Sequence, residues 1–185
     1  MTADSSAEPP APVLATRRIH EGRVLNLRVD EIEARDGGTR WVEVVEHAGG
    51  VGIIARPAPS TILLVRQYRH AVGERTWEVP AGMIDRHELP EVAAKREFEE
   101  ETGYRTGRVR FLFSLYPSPG FLAERVGLYA ADELSPGESL WDDDEVFDDV
   151  RAWDLDEAWS HVVSDDWRDA KTQIALQWAL AERGR

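Results

Sequence analysis

One stretch constrains this chain more than any other: residues 81–104, AGMIDRHELPEVAAKREFEEETGY. Pro90 suits the first turn of a helix and Gly103 suits the position just past its end. The spacing between them predicts a helix of about three and a half turns. At ~100° per residue, Ala93, Ala94, Glu97, Phe98 and Glu101 fall on one side, and Val92, Lys95 and Glu99 on the other. Two carboxylates one turn apart therefore share the face that small and apolar residues turn toward the protein body. Like charges at helical spacing cost stability, and half-buried carboxylates need partners. Arg96 reaches Glu100 at i,i+4, which leaves Glu97 and Glu101 with no obvious partner in the sequence. The plain reading is an acidic, solvated helix. The chemical reading is a set of hard oxygen ligands suited to Mg²⁺ or Mn²⁺. The flanks favour the second. A glycine turn at Gly82 brings backbone carbonyls close to the same spot. Glu88, just before the helix, is placed to accept backbone N–H bonds or to orient a neighbour.

Composition excludes several other chemistries. The chain has 185 residues, a net charge of −13 and a pI of about 4.8, so it lacks the basic footprint that a nucleic acid polymer requires. A small anionic substrate is compatible with that charge, because a divalent cation reverses the local sign. With no cysteine, disulfides, thiolate chemistry and cysteine-ligated zinc are out of reach. No apolar run approaches the roughly 20 residues of a membrane-spanning helix, and no membrane partner is expected. The opening MTADSSAEPPAPVLA has no basic n-region and no long apolar core, so it does not read as a signal peptide and a cytoplasmic location is expected.

The remaining pattern is mostly β. Residues 1–12 are small, polar and Pro-rich and read as a disordered tail. Residues 13–50 read as an N-terminal antiparallel β unit, with strand-like sequence from Arg17 to Glu46 interrupted by the turn signal Asp36–Gly38. Residues 51–185 read as the main domain. Within it, GGVGIIA, TILLVRQYR, TWEVPAG, RFLFSLYP, RVGLYAA and VRAW are strand candidates. A short helix near LDEAWSHV and a longer one from about Asp166 to Glu182 follow. In the last helix Trp167, Ala170, Ile174, Trp178 and Ala181 recur at helical spacing and read as core.

The segment containing the glutamates resembles the Nudix box, Gly-x5-Glu-x7-Arg-Glu-U-x-Glu-Glu-x-Gly-U, where U is a bulky apolar residue. The matching positions are Gly82, Glu88, Arg96, Glu97, Phe98, Glu100, Glu101, Gly103 and Tyr104. One departure is His87, where many family members carry glycine. RQYR, SPGFLAER and DAKTQIALQWAL are similar to the ADP-ribose pyrophosphatase branch. The resemblance implies an α/β fold, a Nudix α/β/α sandwich with a mixed sheet, plus the N-terminal strand unit. It implies a homodimer with exchanged N-terminal strands and metal-dependent hydrolysis of a nucleoside diphosphate sugar, ADP-ribose, to AMP and ribose 5-phosphate.

Residue by residue, the resemblance implies metal ligation by the Ala81 carbonyl, Glu97 and Glu101, with Glu100 assisting. It makes Glu88 and Arg96 orienting residues and Gly82 and Gly103 structural. It implies a base from the later loop WDDDEVFDDV, for which Glu145 is the candidate and Asp144 the next. Arg69 is the candidate phosphate contact and Glu124 a candidate for metal or water contact. Trp41 and Glu43 alternate to one face of a strand and are candidates to meet the nucleoside across a dimer interface. Two alternatives are a Nudix hydrolase for another nucleotide sugar or dinucleotide, and a non-catalytic nucleotide sensor. The intact Glu97, Glu100 and Glu101 argue against the sensor.

Overall fold

The structure, a computed structural model, describes residues 11–137 and 147–183, with residues 147 and 148 as backbone only. Most of the 1–12 tail expected above lies outside the described residues. The chain forms two compact units. One contains the residues up to 48 together with 118–124; the other contains 49–117 and 125–185.

The first unit is an antiparallel sheet of β1 (Val13–Glu21), β2 (Leu25–Glu33) and β3 (Thr39–His47), with β2 central. The strand pattern begins earlier than the sequence indicates. Val13 opens β1, an edge strand exposed along its whole length, so no inward-outward alternation marks its start. The β2–β3 hairpin turns at Asp36–Gly38, where Gly37 takes φ 81° and the Gly38 N–H donates to Asp36 Oδ1 at 3.0 Å. Residues 118–124, within SPGFLAER, lie along β3: the Val45 N–H donates to the Phe121 carbonyl, and Val45 accepts from the Ala123 N–H. Buried charge is matched on β2, where Asp30 accepts from Arg28 Nε at 2.9 Å and from the Thr16 hydroxyl at 2.8 Å. Glu46 on β3 pairs with both Arg18 and Arg28.

The second unit holds two sheets. In the first, β5 (Thr61–Arg69) lies between β6 (Glu74–Glu78) and β10 (Phe147–Asp154). The second runs β7 (Ala81–Met83), β4 (Gly50–Ala55), β9 (Val126–Pro136), β8 (Tyr104–Leu115), with β4 and β9 parallel and the other pairs antiparallel. Helices cover both sides. Strand β4 shows why: Val51, Ile53 and Ala55 pack with Ala93, Ala94 and Phe98 of α1 (Pro90–Thr102), whereas Ile54 belongs to a second core with α2 (Leu155–Val163) and α3 (Ala170–Glu182). A strand buried on both faces loses the polar alternation of a half-exposed one, which accounts for the unbroken GVGIIA. The result is the expected mixed α/β sandwich.

The last helix departs from expectation. It starts at Ala170 with Asp169 as its cap, and its buried residues are Thr172, Ala175, Leu176 and Ala179. Of the proposed stripe, Trp178 packs half-buried against that core, whereas Ala170 and Ala181 are exposed. Trp167 is buried, but from the preceding loop, with its ring stacked on His161 at 4.7 Å and edge-on to Trp153 at 4.9 Å. The Asp169 cap stops the helix from extending back to Trp167.

Candidate active site

Helix α1 follows the sequence closely. Pro90 occupies its first turn, and Gly103 ends it in the left-handed conformation, φ 70°, with its N–H on the Glu99 carbonyl. The buried set is Ala93, Ala94, Glu97, Phe98, Glu101 and Thr102. Glu97 is 9% exposed and Glu101 2%, so both carboxylates do lie on the inward face. On the opposite side Glu99 meets Lys95 and Arg105.

The partners that the sequence leaves unassigned are now visible. Arg96 holds Glu88 in a two-point pair, at 3.0 Å from Nε and 2.9 Å from Nη2. Its Nη1 reaches Glu97 at 2.8 Å and Glu100 at 3.1 Å, and Nη2 also donates to the Met83 carbonyl. This bonding, to Glu88 first, raises the Arg96 pKa far above its ordinary value and lowers that of Glu88. Arg96 therefore orients three carboxylates rather than Glu100 alone. Glu101 accepts the Ala81 N–H at 3.0 Å.

The strand before the helix presents the other half of the site. The Pro80 carbonyl accepts from the Ile53 N–H of β4 at 2.8 Å. In an antiparallel ladder the next residue turns its N–H and C=O the other way. Ala81 thus directs both groups away from β4, its N–H onto Glu101. A Cβ built on Gly82 would overlap the Glu97 carboxyl carbon and both of its oxygens. Gly82 is therefore required less for a special φ than for the space that Glu97 fills. Among the described residues no group of three or more acidic or histidine side chains converges on one point. Arg96 holds two of the candidate ligands, Glu97 and Glu100, instead. The donor set of Glu97, Glu100, Glu101 and the Ala81 carbonyl is nonetheless all hard oxygen, which fits Mg²⁺ or Mn²⁺.

Arg69, at the end of β5, makes a two-point pair with Glu78, 2.8 Å on each arm. Glu78 is 2% exposed and also accepts from Thr76 and Lys171. Burial pushes its carboxyl up, but the Arg69 bond and the Lys171 charge outweigh burial and bring it down to about 2. Burial lowers the Arg69 pKa, but the Glu78 bond and charge, with smaller contributions from Glu101 and Asp169, raise it overall, so the guanidinium feels the Glu101 carboxylate of α1. A cavity of about 510 Å³ opens beside Arg69, lined also by Thr76, Glu78, Arg168 and Lys171. The sequence reading missed Glu78 and Lys171. The available signal was Lys171, two residues after Asp169 in DAKT and the one basic residue of the last helix.

In the first unit Glu124 pairs with His47 at 3.2 Å, and Trp41 and Glu43 stand exposed on β3, Trp41 at 60%. His87 adopts φ 71°, the left-handed region that favours glycine. Glu145 and Asp144 lie outside the described residues.

An α/β sandwich in which a Gly-led loop and a glutamate-rich helix converge defines a class of phosphate-processing hydrolase. The chain belongs to the Nudix family, whose domain matches residues 46–176. It is 40% identical over 167 residues to the methanol dehydrogenase activator of Bacillus methanolicus, covering 89% of this chain and 90% of that one. It is 36% identical over 166 residues to the ADP-ribose pyrophosphatase of Bacillus subtilis, again covering 89% and 90%. A solved structure described as an ADP compounds hydrolase superposes with a TM-score of 0.80 over 96% of both chains at 23% identity, which establishes the shared fold. Enzymes of this family that act on ADP-ribose depend on a divalent metal in general.

Proposed function

We propose that this chain hydrolyses the pyrophosphate of ADP-ribose to AMP and ribose 5-phosphate, with Mg²⁺ or Mn²⁺ bound at α1. The observation that carries this reading is the space at Gly82, which admits the Glu97 carboxylate beside Ala81 and Glu101. Similarity to an ADP-ribose pyrophosphatase over most of both chains supports the substrate.

Glu97, Glu101 and the Ala81 carbonyl would hold the metal, with Glu100 assisting. The metal's chemistry is to neutralise the diphosphate and lower the pKa of an attacking water. Arg96 and Glu88 keep the carboxylates oriented and spaced. Arg69, fixed by Glu78, offers its remaining guanidinium N–H groups to a phosphate. Glu145, with Asp144 beside it, is the candidate base on sequence grounds. It would accept a proton from the water that attacks phosphorus as the P–O bond to the leaving phosphate breaks.

The same reading makes the enzyme a cytoplasmic homodimer with a small-molecule substrate. Val13, Leu14, Ile19 and Trp41 are exposed on the three-stranded sheet, and such apolar exposure suits a second copy of the chain. Among the described residues no helix is long and apolar enough to cross a membrane.

The test is product chromatography after incubation with ADP-ribose, GDP-mannose and a dinucleoside polyphosphate, with and without Mg²⁺. AMP and ribose 5-phosphate formed fastest from ADP-ribose support the reading. A larger kcat/KM on either other substrate refutes the substrate assignment.

A further inference from the structure

The C-terminal helix reaches back into the segment that carries Ala81. Asp169 caps α3 by accepting from the Thr172 N–H at 2.8 Å and from the Thr172 hydroxyl at 2.7 Å. The same hydroxyl oxygen accepts the Val79 N–H at 2.9 Å. Thr172 is only 1% exposed. Beside it, Lys171 Nζ bridges Asp169 at 2.7 Å and Glu78 at 3.3 Å, and Glu78 in turn grips Arg69. One helix terminus thus holds both the backbone that leads to Ala81 and the side chain that positions Arg69.

Helix capping does not require this arrangement. An Asp cap satisfies the first turn without help from a strand, and a buried ion bridge is weak evidence of net stabilisation. The network is better suited to fixing positions. Three consecutive residues leading into the metal-facing segment, Ala81 included, are each held by a bond. The Val79 N–H binds Thr172, the Pro80 carbonyl binds Ile53, and the Ala81 N–H binds Glu101. The first of these comes from α3, the second from β4 and the third from α1, so the backbone at Ala81 is located from three directions.

We propose that Thr172 and Lys171 are positioning residues for the hydrolytic reaction. Thr172 sets the Val79–Ala81 backbone and so the place of the Ala81 carbonyl relative to Glu97 and Glu101. Lys171 fixes Glu78 and, through it, Arg69. Neither side chain is assigned a contact with the substrate, and the inference rests on the metal reading given above. Outer partners that orient metal ligands are typically worth ~10–100-fold in metal affinity or activity.

The test measures Mn²⁺ binding to the full chain by electron paramagnetic resonance, without substrate, alongside kcat and KM. Thr172→Val is expected to weaken Mn²⁺ binding about tenfold and to lower kcat, with Thr172→Ser close to the parent. Lys171→Met leaves the Val79 bond in place, so it is expected to raise KM about tenfold while Mn²⁺ affinity holds. A Thr172→Val protein that melts lower yet binds Mn²⁺ and turns over normally per folded molecule overturns the role of Thr172. If Thr172→Val does not fold, Lys171→Met decides: a selective rise in KM supports the network, and unchanged KM and kcat overturn it. Glu97→Gln separates the two levels. Lost Mn²⁺ affinity there, with Thr172→Val intact, overturns the positioning role alone. Parental Mn²⁺ affinity in Glu97→Gln removes the metal reading itself.

Discussion

Gly82→Ala separates folding from chemistry at one atom. Gly82 lies in the short strand β7 and is not among the positive-φ glycines, so alanine is compatible with its backbone. The added Cβ would land on the Glu97 carboxyl group. That group is the far end of a flexible side chain, and it must retreat by roughly an ångström or more to reach ordinary contact distance. The strain falls on a side chain rather than on backbone: the 2.8 Å bond to Arg96 is disturbed, while alanine restricts the unfolded chain and offsets about 0.4–1 kcal/mol. Thermal stability should therefore change by no more than about 1 kcal/mol. Activity has much to lose, because a displacement of about 1 Å in a catalytic constellation costs on the order of 10²-fold, or ~2.7 kcal/mol in the barrier. The assay pairs a thermal melt with Mg²⁺-dependent turnover. Parental turnover in a folded Gly82→Ala protein would refute the argument that Gly82 exists to admit Glu97. Loss of the fold would refute the claim that the side chain can yield.

Two further outcomes follow from the structure. The folded Glu78 carboxyl lies at about 2, below its ordinary 4.5, although burial alone would raise it. It therefore contributes stability that is complete above pH ~4.5 and is lost as pH falls toward 2, on the order of 3 kcal/mol in all. Urea midpoints between pH 5 and 2.5 should fall less steeply in Glu78→Gln than in the parent, and parallel curves would contradict this. His87 pays for a left-handed φ of 71° on an exposed loop, so His87→Gly should raise stability by up to about 1 kcal/mol in a chemical melt. A destabilised variant would mean that the imidazole makes a compensating interaction.

The helix α1 was legible because its signals are local. Pro90, Gly103 and the 3.6-residue period fix its ends and its inward face, and the buried set matches that reading. Of the carboxylates' partners, only the i,i+4 reach of Arg96 to Glu100 was legible. Arg96 reaches Glu88 eight positions earlier only because the loop folds back, and Glu101 finds a backbone N–H twenty positions earlier. The Arg69–Glu78–Lys171 network joins β5, β6 and α3 across as many as 93 positions, a distance that no periodicity encodes. The last helix was misread because its aromatic spacing imitates a helical stripe. Trp167 packs from a loop, and the buried face runs through Ala175, Leu176 and Ala179, with Trp178 half-buried beside it. Wide aromatic rings find burial at several approach angles, whereas alanines bury only where the helix backbone comes close.

The central claim is that the inward carboxylates of α1 are metal ligands for hydrolysis, and Glu97→Gln and Glu101→Gln test it most directly. Each keeps the shape of the side chain and removes its charge. ADP-ribose turnover should be measured across a Mg²⁺ titration, with folding checked by circular dichroism. The account predicts folded proteins whose kcat falls by at least ~10³-fold and is not restored at saturating Mg²⁺. Turnover at the parental rate in either variant would contradict it.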